Sequence, residues 1–331
     1  MADKNTLLVC ENVTMEFHSP RRFLEKQKPS VKAVNDVSFE VKEGETFGLV
    51  GESGCGKTTL GKCIVRLLKP SAGKIFYNDN GEMKDLLNLD KKESKAMRRK
   101  IQIVFQDPYA SLNPQHTILE AFDEPMRVHG VGGNKEQRKE LIAKALERVN
   151  LQPDYMYRYP HEFSGGQRQR ICVAKALVLE PKLIVCDEPV SALDVSIQAQ
   201  LLNLMNKLQA DLGVTFIFIA HDLSVVQYMS DRIGVMYLGN MVELADADEL
   251  YNNTMHPYTE ALLSAVPVPV INGKRDRIIL EGDVPSPMNP PTGCPFHPRC
   301  TKCMEICKQE KPQLQEKRNG HFVACHLFDN K

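Results

Sequence analysis

Apolar and polar residues alternate with a period of two over Thr6–Val13 and again over Val34–Val41, which predicts two half-buried strands. A basic, proline-containing stretch, Ser19–Lys32, predicts the loop between them. Glu45–Val50 is a short apolar run ending at Gly51, the pattern of a buried strand. Helical spacing then takes over: Lys57–Leu68 stops before Lys69-Pro70, and Ala121–Asn150 is helix-rich with a turn at Gly130–Asn134. Ser164–Leu179 predicts a helix, Leu183–Cys186 a buried strand and Ile197–Leu212 a further helix. Val214–Ala220 is a β-branched and aromatic strand that runs directly into His221. Strands alternating with helices predict an α/β domain with a largely parallel sheet.

The pattern fades toward the C-terminus. From Pro267 onward the chain is rich in proline and poor in periodic apolar residues. This places a boundary between about residues 240 and 255, followed by a loop-rich tail that needs a staple. No internal repeat is present. Lys+Arg and Asp+Glu balance at 42 each, so no net basic field draws the chain onto nucleic acid, and no nucleic-acid partner is expected. The opening residues MADKNTLLVC lack the layout of a signal peptide, and runs such as Val214–Ala220 are too short to cross a bilayer. The expectation is a cytosolic chain that meets a membrane only through a partner.

Candidate chemistry begins at Gly51-Glu52-Ser53-Gly54-Cys55-Gly56-Lys57-Thr58, which fits G-x-x-x-x-G-K-[ST] between an apolar strand and a helix. Glycines let such a loop curl until several backbone N–H groups face a phosphate, and the following helix adds the positive end of its dipole. Lys57 is then placed to reach β- and γ-phosphates, and Thr58 to ligate Mg²⁺. Further on, Leu183-Ile184-Val185-Cys186 delivers two acids, Asp187 and Glu188, at the end of a buried strand. Asp187 suits Mg²⁺ through water, and Glu188 suits polarising the attacking water. The guanine-reading N-K-x-D motif is missing from the chain, which argues against a GTPase.

The class is decided by Phe163-Ser-Gly-Gly-Gln-Arg-Gln-Arg170. Ser164 is a helix N-cap candidate ahead of two glycines, a second anion-binding helix start in one chain. FSGGQRQR resembles the signature of ATP-binding-cassette (ABC) ATPases, and the family's other elements follow in order. Gln106 resembles the Q-loop glutamine, also a Mg²⁺ contact. Ser191, Ala192, Leu193 and Asp194 resemble the D-loop, His221 the switch histidine, and Phe17 the aromatic that stacks on adenine. The resemblance implies a P-loop NTPase with a RecA-like core, an antiparallel β subdomain and an α-helical subdomain near residues 107–180. It adds Thr59 to the ATP-binding loop. It also implies that two cassettes meet head to tail, so that Ser164, Gly165, Gly166 and Gln167 act on the partner's ATP.

HPYTEALLSAVP, GDVPSPMNPPTGCPFHPRC and GHFVACHL resemble the C-terminal extension of oligopeptide and dipeptide importer ATPases. The implied organisation is a cassette over 1–250 and this extension over 251–331. The implied task is powering peptide import across the cytoplasmic membrane, from its cytoplasmic face. The implied partners are two permeases, a second ATPase subunit that is a paralogue by family practice and, indirectly, an extracellular peptide-binding protein. The permease would meet the helical insert Tyr109–Met126. Nickel or glutathione as cargo, and a soluble ABC ATPase without a permease, are the other readings.

Of ten cysteines, five are scattered through Cys10–Cys186 and five fall within Cys294–Cys325. A reducing compartment leaves such thiols unpaired. The scattered ones, Cys63, Cys172 and Cys186 above all, read as small core residues. Cys294, Cys300, Cys307 and Cys325 form a C-x5-C-x6-C-x17-C set able to enclose one metal centre, either zinc or an iron–sulfur cluster. The subfamily resemblance implies a [4Fe-4S] cluster at those four. Cys303 departs from that pattern, and the C-x2-C it makes with Cys300 keeps zinc open, with His297, His321 and His326 as further ligands. Reduced structural thiols are the third reading. In each, the motif fastens a core-poor tail.

Overall fold

The structure, a computed structural model, describes residues 5–18, 30–266 and 278–329. The expected Ser19–Lys32 loop lies outside the described residues up to position 29. The strands are β1 (Thr6–Phe17), β2 (Val31–Lys42), β3 (Thr46–Val50), β4 (Ala72–Asp79), β5 (Glu82–Asp85) and β6 (Ile101–Val104). They continue with β7 (Leu183–Asp187), β8 (Thr215–Ile219), β9 (Arg232–Tyr237), β10 (Asn240–Asp246), β11 (Gln315–Arg318) and β12 (His321–Val323). The helices are α1 (Lys57–Ile64), α2 (Lys91–Lys100), α3 (Pro108–Ser111), α4 (Ile118–His129), α5 (Lys135–Arg148) and α6 (Gly165–Leu177). After them come α7 (Val195–Leu212), α8 (Leu223–Met229), α9 (Ala247–Asn252), α10 (Pro257–Ser264) and α11 (Glu305–Gln309).

Two compact units divide the chain. The first comprises Met1–Val41, Thr46–Leu87 and Ala220–Lys331. It holds an antiparallel sheet in the order β2-β1-β4-β5 and a run of strands ordered β11-β12-β10-β9-β3. Only the β3–β9 pair in that run is parallel. Every residue of β3 is buried, which is why Thr-Phe-Gly-Leu-Val reads as a continuous apolar run rather than an alternating one. The tail is stitched into this unit by backbone pairing, with Glu243 opposite Val323 and Leu244 opposite Phe322.

The second unit comprises Lys42–Glu45 and Asn88–Ile219. Its strands β6, β7 and β8 are parallel, with Ile101 opposite Leu183 and Leu183 opposite Thr215. β7 and β8 are buried throughout, and α2 to α7 supply the helices of this unit. Helix starts are chemically marked: Asp90 with Glu93 and Thr117 with Glu120 form reciprocal capping boxes, and Gly130 closes α4 at φ 67. The antiparallel and parallel sheets together are the layout the family resemblance implies.

Two differences from the sequence expectation have physical causes. The helix expected to reach Leu68 stops at Ile64, because Arg66 turns to φ 61 and the N–H groups of Leu67 and Leu68 both bond back to Lys62 O. The hairpin of β9 and β10 was not anticipated; its strands are buried almost throughout, so period-two alternation is absent.

Candidate nucleotide site

β3 ends where the phosphate loop begins. Gly51 sits at φ 148, and a Cβ there would lie 2.1 Å from Met236 O, so the loop can start its curl only with glycine. α1 opens at Lys57 with no side-chain cap, the kind of helix start that suits an anion. Lys57 is buried, and its Nζ donates to the loop's own carbonyls at Gly51 (2.7 Å) and Glu52 (3.1 Å). Ser53 and Gly54 are exposed, Gly56, Thr58 and Thr59 half-buried, and Cys55 buried. Burial raises the Cys55 thiol above its ordinary value against the opposing pull of Lys57. Phe17 stands 42% exposed at the end of β1. His221 is exposed and follows Ala220, whose N–H bonds Leu49 O at 3.2 Å. All of these belong to the first unit.

The second unit assembles the acid pair. Asp187 is buried at the end of β7, and Glu188 turns out of the strand at φ 47, its N–H donating to Ile219 O (3.0 Å). A non-glycine residue in that region costs about 1–3 kcal/mol and persists where a site over-determines it. Two segments converge on Glu188: Gln106 Nε2 donates to Oε2 (2.9 Å), Ser191 Oγ donates to the backbone O (3.1 Å), and Gln106 Nε2 also reaches Ser191 Oγ (3.4 Å). The Q-loop candidate thus meets the carboxylate the sequence singles out as base, and the D-loop candidate meets the same residue's backbone.

Ser164 is the N-cap of α6: its Oγ accepts from Gln167 N (3.3 Å) and Gln167 Oε1 accepts from Ser164 N (3.0 Å). That box uses two amides and leaves those of Gly165 and Gly166 as the open donors of the first turn. Gly166 is also demanded by packing, since a Cβ would fall 2.4 Å from Ile197 Cγ2 on α7. Arg168 anchors the turn through Nε to Pro160 O (2.7 Å), with its guanidinium 3.9 Å from the ring centre of Tyr109. Of the D-loop residues, Ser191, Ala192 and Asp194 are exposed and Leu193 half-buried. The adjoining Val195 is 82% exposed.

All five scattered cysteines are buried. The four tail cysteines Cys294, Cys300, Cys307 and Cys325 line one cavity of about 10 Å³ together with His297 and His326; Cys303 does not. Burial pushes the Cys294 thiol up to about 12 and that of Cys325 up to about 11, so a metal there would have to displace protons. The donor chemistry suits a soft metal. The geometry adds no support: among the described residues no group of three or more His, Cys, Asp or Glu side chains is arranged to hold a metal ion. His321 lies elsewhere, with Nε2 on Glu243 (2.8 Å) and Nδ1 on Glu249 (3.4 Å), which corrects its place among the possible ligands.

Sequence reasoning missed three residues of consequence, Arg299, Tyr258 and Glu243, and gave His321 a different role. Arg299 Nη1 and Nη2 bond Glu52 Oε2 and Oε1 (2.7 and 3.1 Å), and Tyr258 Oη accepts from Glu52 N (2.8 Å). One signal was present for His321: Asn319-Gly320 is a strong two-residue hairpin sequence, and it joins β11 to β12.

A phosphate loop, a strand-end acid pair held by a glutamine, and a second helix start with open amides define an ATPase of the cassette type. The ABC transporter profile matches residues 34–191, and the profile of the oligopeptide/dipeptide transporter C-terminal region matches 242–307. The chain is 52% identical over 330 residues to the oligopeptide transport ATP-binding protein AppF of Bacillus subtilis, covering 99% of both. It is likewise 52% identical over 298 residues to the oligopeptide transport ATP-binding protein OppF of Haemophilus influenzae, covering 89% of each. The dimeric post-hydrolysis structure of the ATP-binding cassette MJ0796 bound to ADP and Pi superposes with a TM-score of 0.63 at 28% identity, over 73% of this chain and 99% of that one. The chain belongs to the ABC ATPase family of the oligopeptide transport ATP-binding type, and it binds and hydrolyses ATP.

Proposed function

We propose that this chain energises the import of di- and oligopeptides through partner permeases. The observation that carries the reading is the extent of the likeness: an alignment 52% identical overall spans 330 residues, C-terminal region as well as cassette, in a relative named for oligopeptide transport. In this reading residues 1–250 are the cassette, with a helical subdomain near 107–180, and 251–331 the extension. Lys57 and the loop from Gly51 to Thr59 hold the β- and γ-phosphates, and Phe17 stacks on adenine. Thr58, Gln106 and Asp187 hold Mg²⁺, whose charge offsets that developing on the phosphates when bound. Glu188 takes the proton of the attacking water, Gln106 fixes its carboxylate, and His221 senses the γ-phosphate. Ser164 to Gln167 act on the ATP of a second ATPase subunit, a paralogue, with Gly165 and Gly166 presenting the open amides. The D-loop from Ser191 to Asp194 lies at the same junction.

Tyr109, 63% exposed beside Gln106, marks where a permease would dock on the Tyr109–Met126 segment. None of the described helices is long and apolar enough to cross a membrane, which suits a peripheral subunit on the cytoplasmic face. An extracellular peptide-binding protein delivers cargo indirectly. The tail cysteines Cys294, Cys300, Cys307 and Cys325 would hold a [4Fe-4S] cluster in this reading; it rests on their soft-donor chemistry and sequence spacing alone. The test is uptake of labelled di- and oligopeptides by a strain lacking this chain. Restoration by the native sequence but not by Lys57→Ala supports the reading, and unchanged peptide uptake in the deletion strain overturns it.

A further inference from the structure

Glu52 is an acid in a loop that binds polyphosphate, and an uncompensated carboxylate there would repel the ligand. Its environment supplies the compensation. Arg299 takes both carboxylate oxygens with its fork, at 2.7 and 3.1 Å, and Tyr258 accepts the Glu52 N–H at 2.8 Å. Both partners come from the C-terminal region, 247 and 206 residues away. Neither is a surface contact. Arg299 is 9% exposed and Tyr258 fully buried, and Tyr258 packs with Tyr237 and Phe296 at ring-centre distances of 4.7 and 5.4 Å. Arg299 Nη1 also reaches Tyr237 Oη at 3.5 Å.

The turn that carries Arg299 is His297–Arg299, flanked by Cys294 and Cys300. Cys294 N bonds Cys307 O (2.8 Å) and Cys300 N bonds His297 O (3.3 Å), so the thiol-lined cavity and the phosphate loop share one support. Because Lys57 Nζ bonds the Glu52 carbonyl, any drift of Glu52 also moves the phosphate-binding lysine's own anchor.

We propose that the C-terminal region is a working part of the nucleotide site, with Arg299 and Tyr258 as positioning residues that neutralise Glu52 and hold the phosphate loop in its binding shape. The proposal rests on the ATP-binding reading of the loop alone and is independent of cargo. The test is the ATP dissociation constant of the full-length chain, measured by fluorescence titration with Mg·ATP alongside thermal melting. Arg299→Met strands the carboxylate, and affinity falls about tenfold, the scale of one charge-assisted pair. Adding Glu52→Gln to Arg299→Met removes the stranded charge and recovers most of that loss. A merely structural role predicts the opposite pattern, a lower melting temperature with unchanged affinity in the folded fraction; that result, or equal affinity loss in the single and double variants, overturns the proposal. Should Arg299→Met fail to fold, Arg299→Gln keeps a hydrogen-bonding side chain without the charge. Weakened ATP binding at a native melting temperature then supports the proposal, and native affinity overturns it.

Discussion

Changing Glu243 to Gln should loosen the clasp that holds the tail to the rest of its unit. Glu243 and His321 are both 0% exposed, and their Oε1 and Nε2 atoms lie 2.8 Å apart. The same carboxylate accepts the N–H groups of Met255 (2.7 Å) and His256 (3.2 Å). An amide nitrogen accepts nothing, so one of three buried donors loses its partner, at about 1–3 kcal/mol. The imidazole also loses its counter-charge, and removing one member of a buried pair costs about 3–5 kcal/mol in all. At about 2–4 °C per kcal/mol, the apparent melting temperature should fall by about 6–20 °C.

The pH dependence carries a definite sign. Burial alone would depress His321, but hydrogen bonds and charge from Glu243 and Glu249 outweigh it, so its folded value is raised. A raised histidine contributes fully below the ordinary imidazole value of about 6.5 and loses that contribution as pH rises through its folded value. The gap in melting temperature between native protein and Glu243→Gln is therefore widest near pH 6 and narrowest near pH 9. Neighbouring His256, lowered to about 4 by burial, is neutral across that range and leaves the sign unchanged. Differential scanning fluorimetry across pH reads both quantities. A fall under about 2 °C, or a gap that grows with pH, refutes the reasoning.

Three further outcomes are expected. Glu188→Gln keeps the Gln106 contact but removes the base, so ATP turnover in the assembled complex should drop at least ~100-fold while ATP stays bound; near-normal phosphate release would contradict the role. Gly166→Ala drives a methyl into Ile197 and should destabilise by about 1–3 kcal/mol, with Ile197→Ala restoring melting temperature in the double variant; no recovery would place the cost elsewhere. If the tail thiols hold the proposed cluster, anaerobically purified protein shows visible absorbance and iron at about four atoms per chain, whereas equimolar zinc without iron would reject it.

What the sequence made legible was the chemistry whose residues must be neighbours along the chain. The phosphate loop and the Ser164 cap are local devices, each within a few positions, so spacing alone identified them. Glu188 was legible as the end of a buried strand, though its left-handed backbone was not, because nothing in Cys-Asp-Glu-Pro encodes a φ of 47. The residues that bind the tail to its unit are different in kind. Arg299 with Glu52 and His321 with Glu243 are separated by 247 and 78 positions, and each member alone looks like an ordinary charged surface residue. A buried charge declares itself only through its partner, since unpaired it would not stay buried. The tail was therefore read as core-poor and in need of a staple, which directed attention to its cysteines. Its Tyr258 and Phe296 instead reach a shared aromatic cluster with Tyr237, and its arginine reaches the phosphate loop. The apolar poverty of residues 278–329 reflects a segment that completes an existing core rather than building one of its own, and this is why its effect should be felt at the nucleotide.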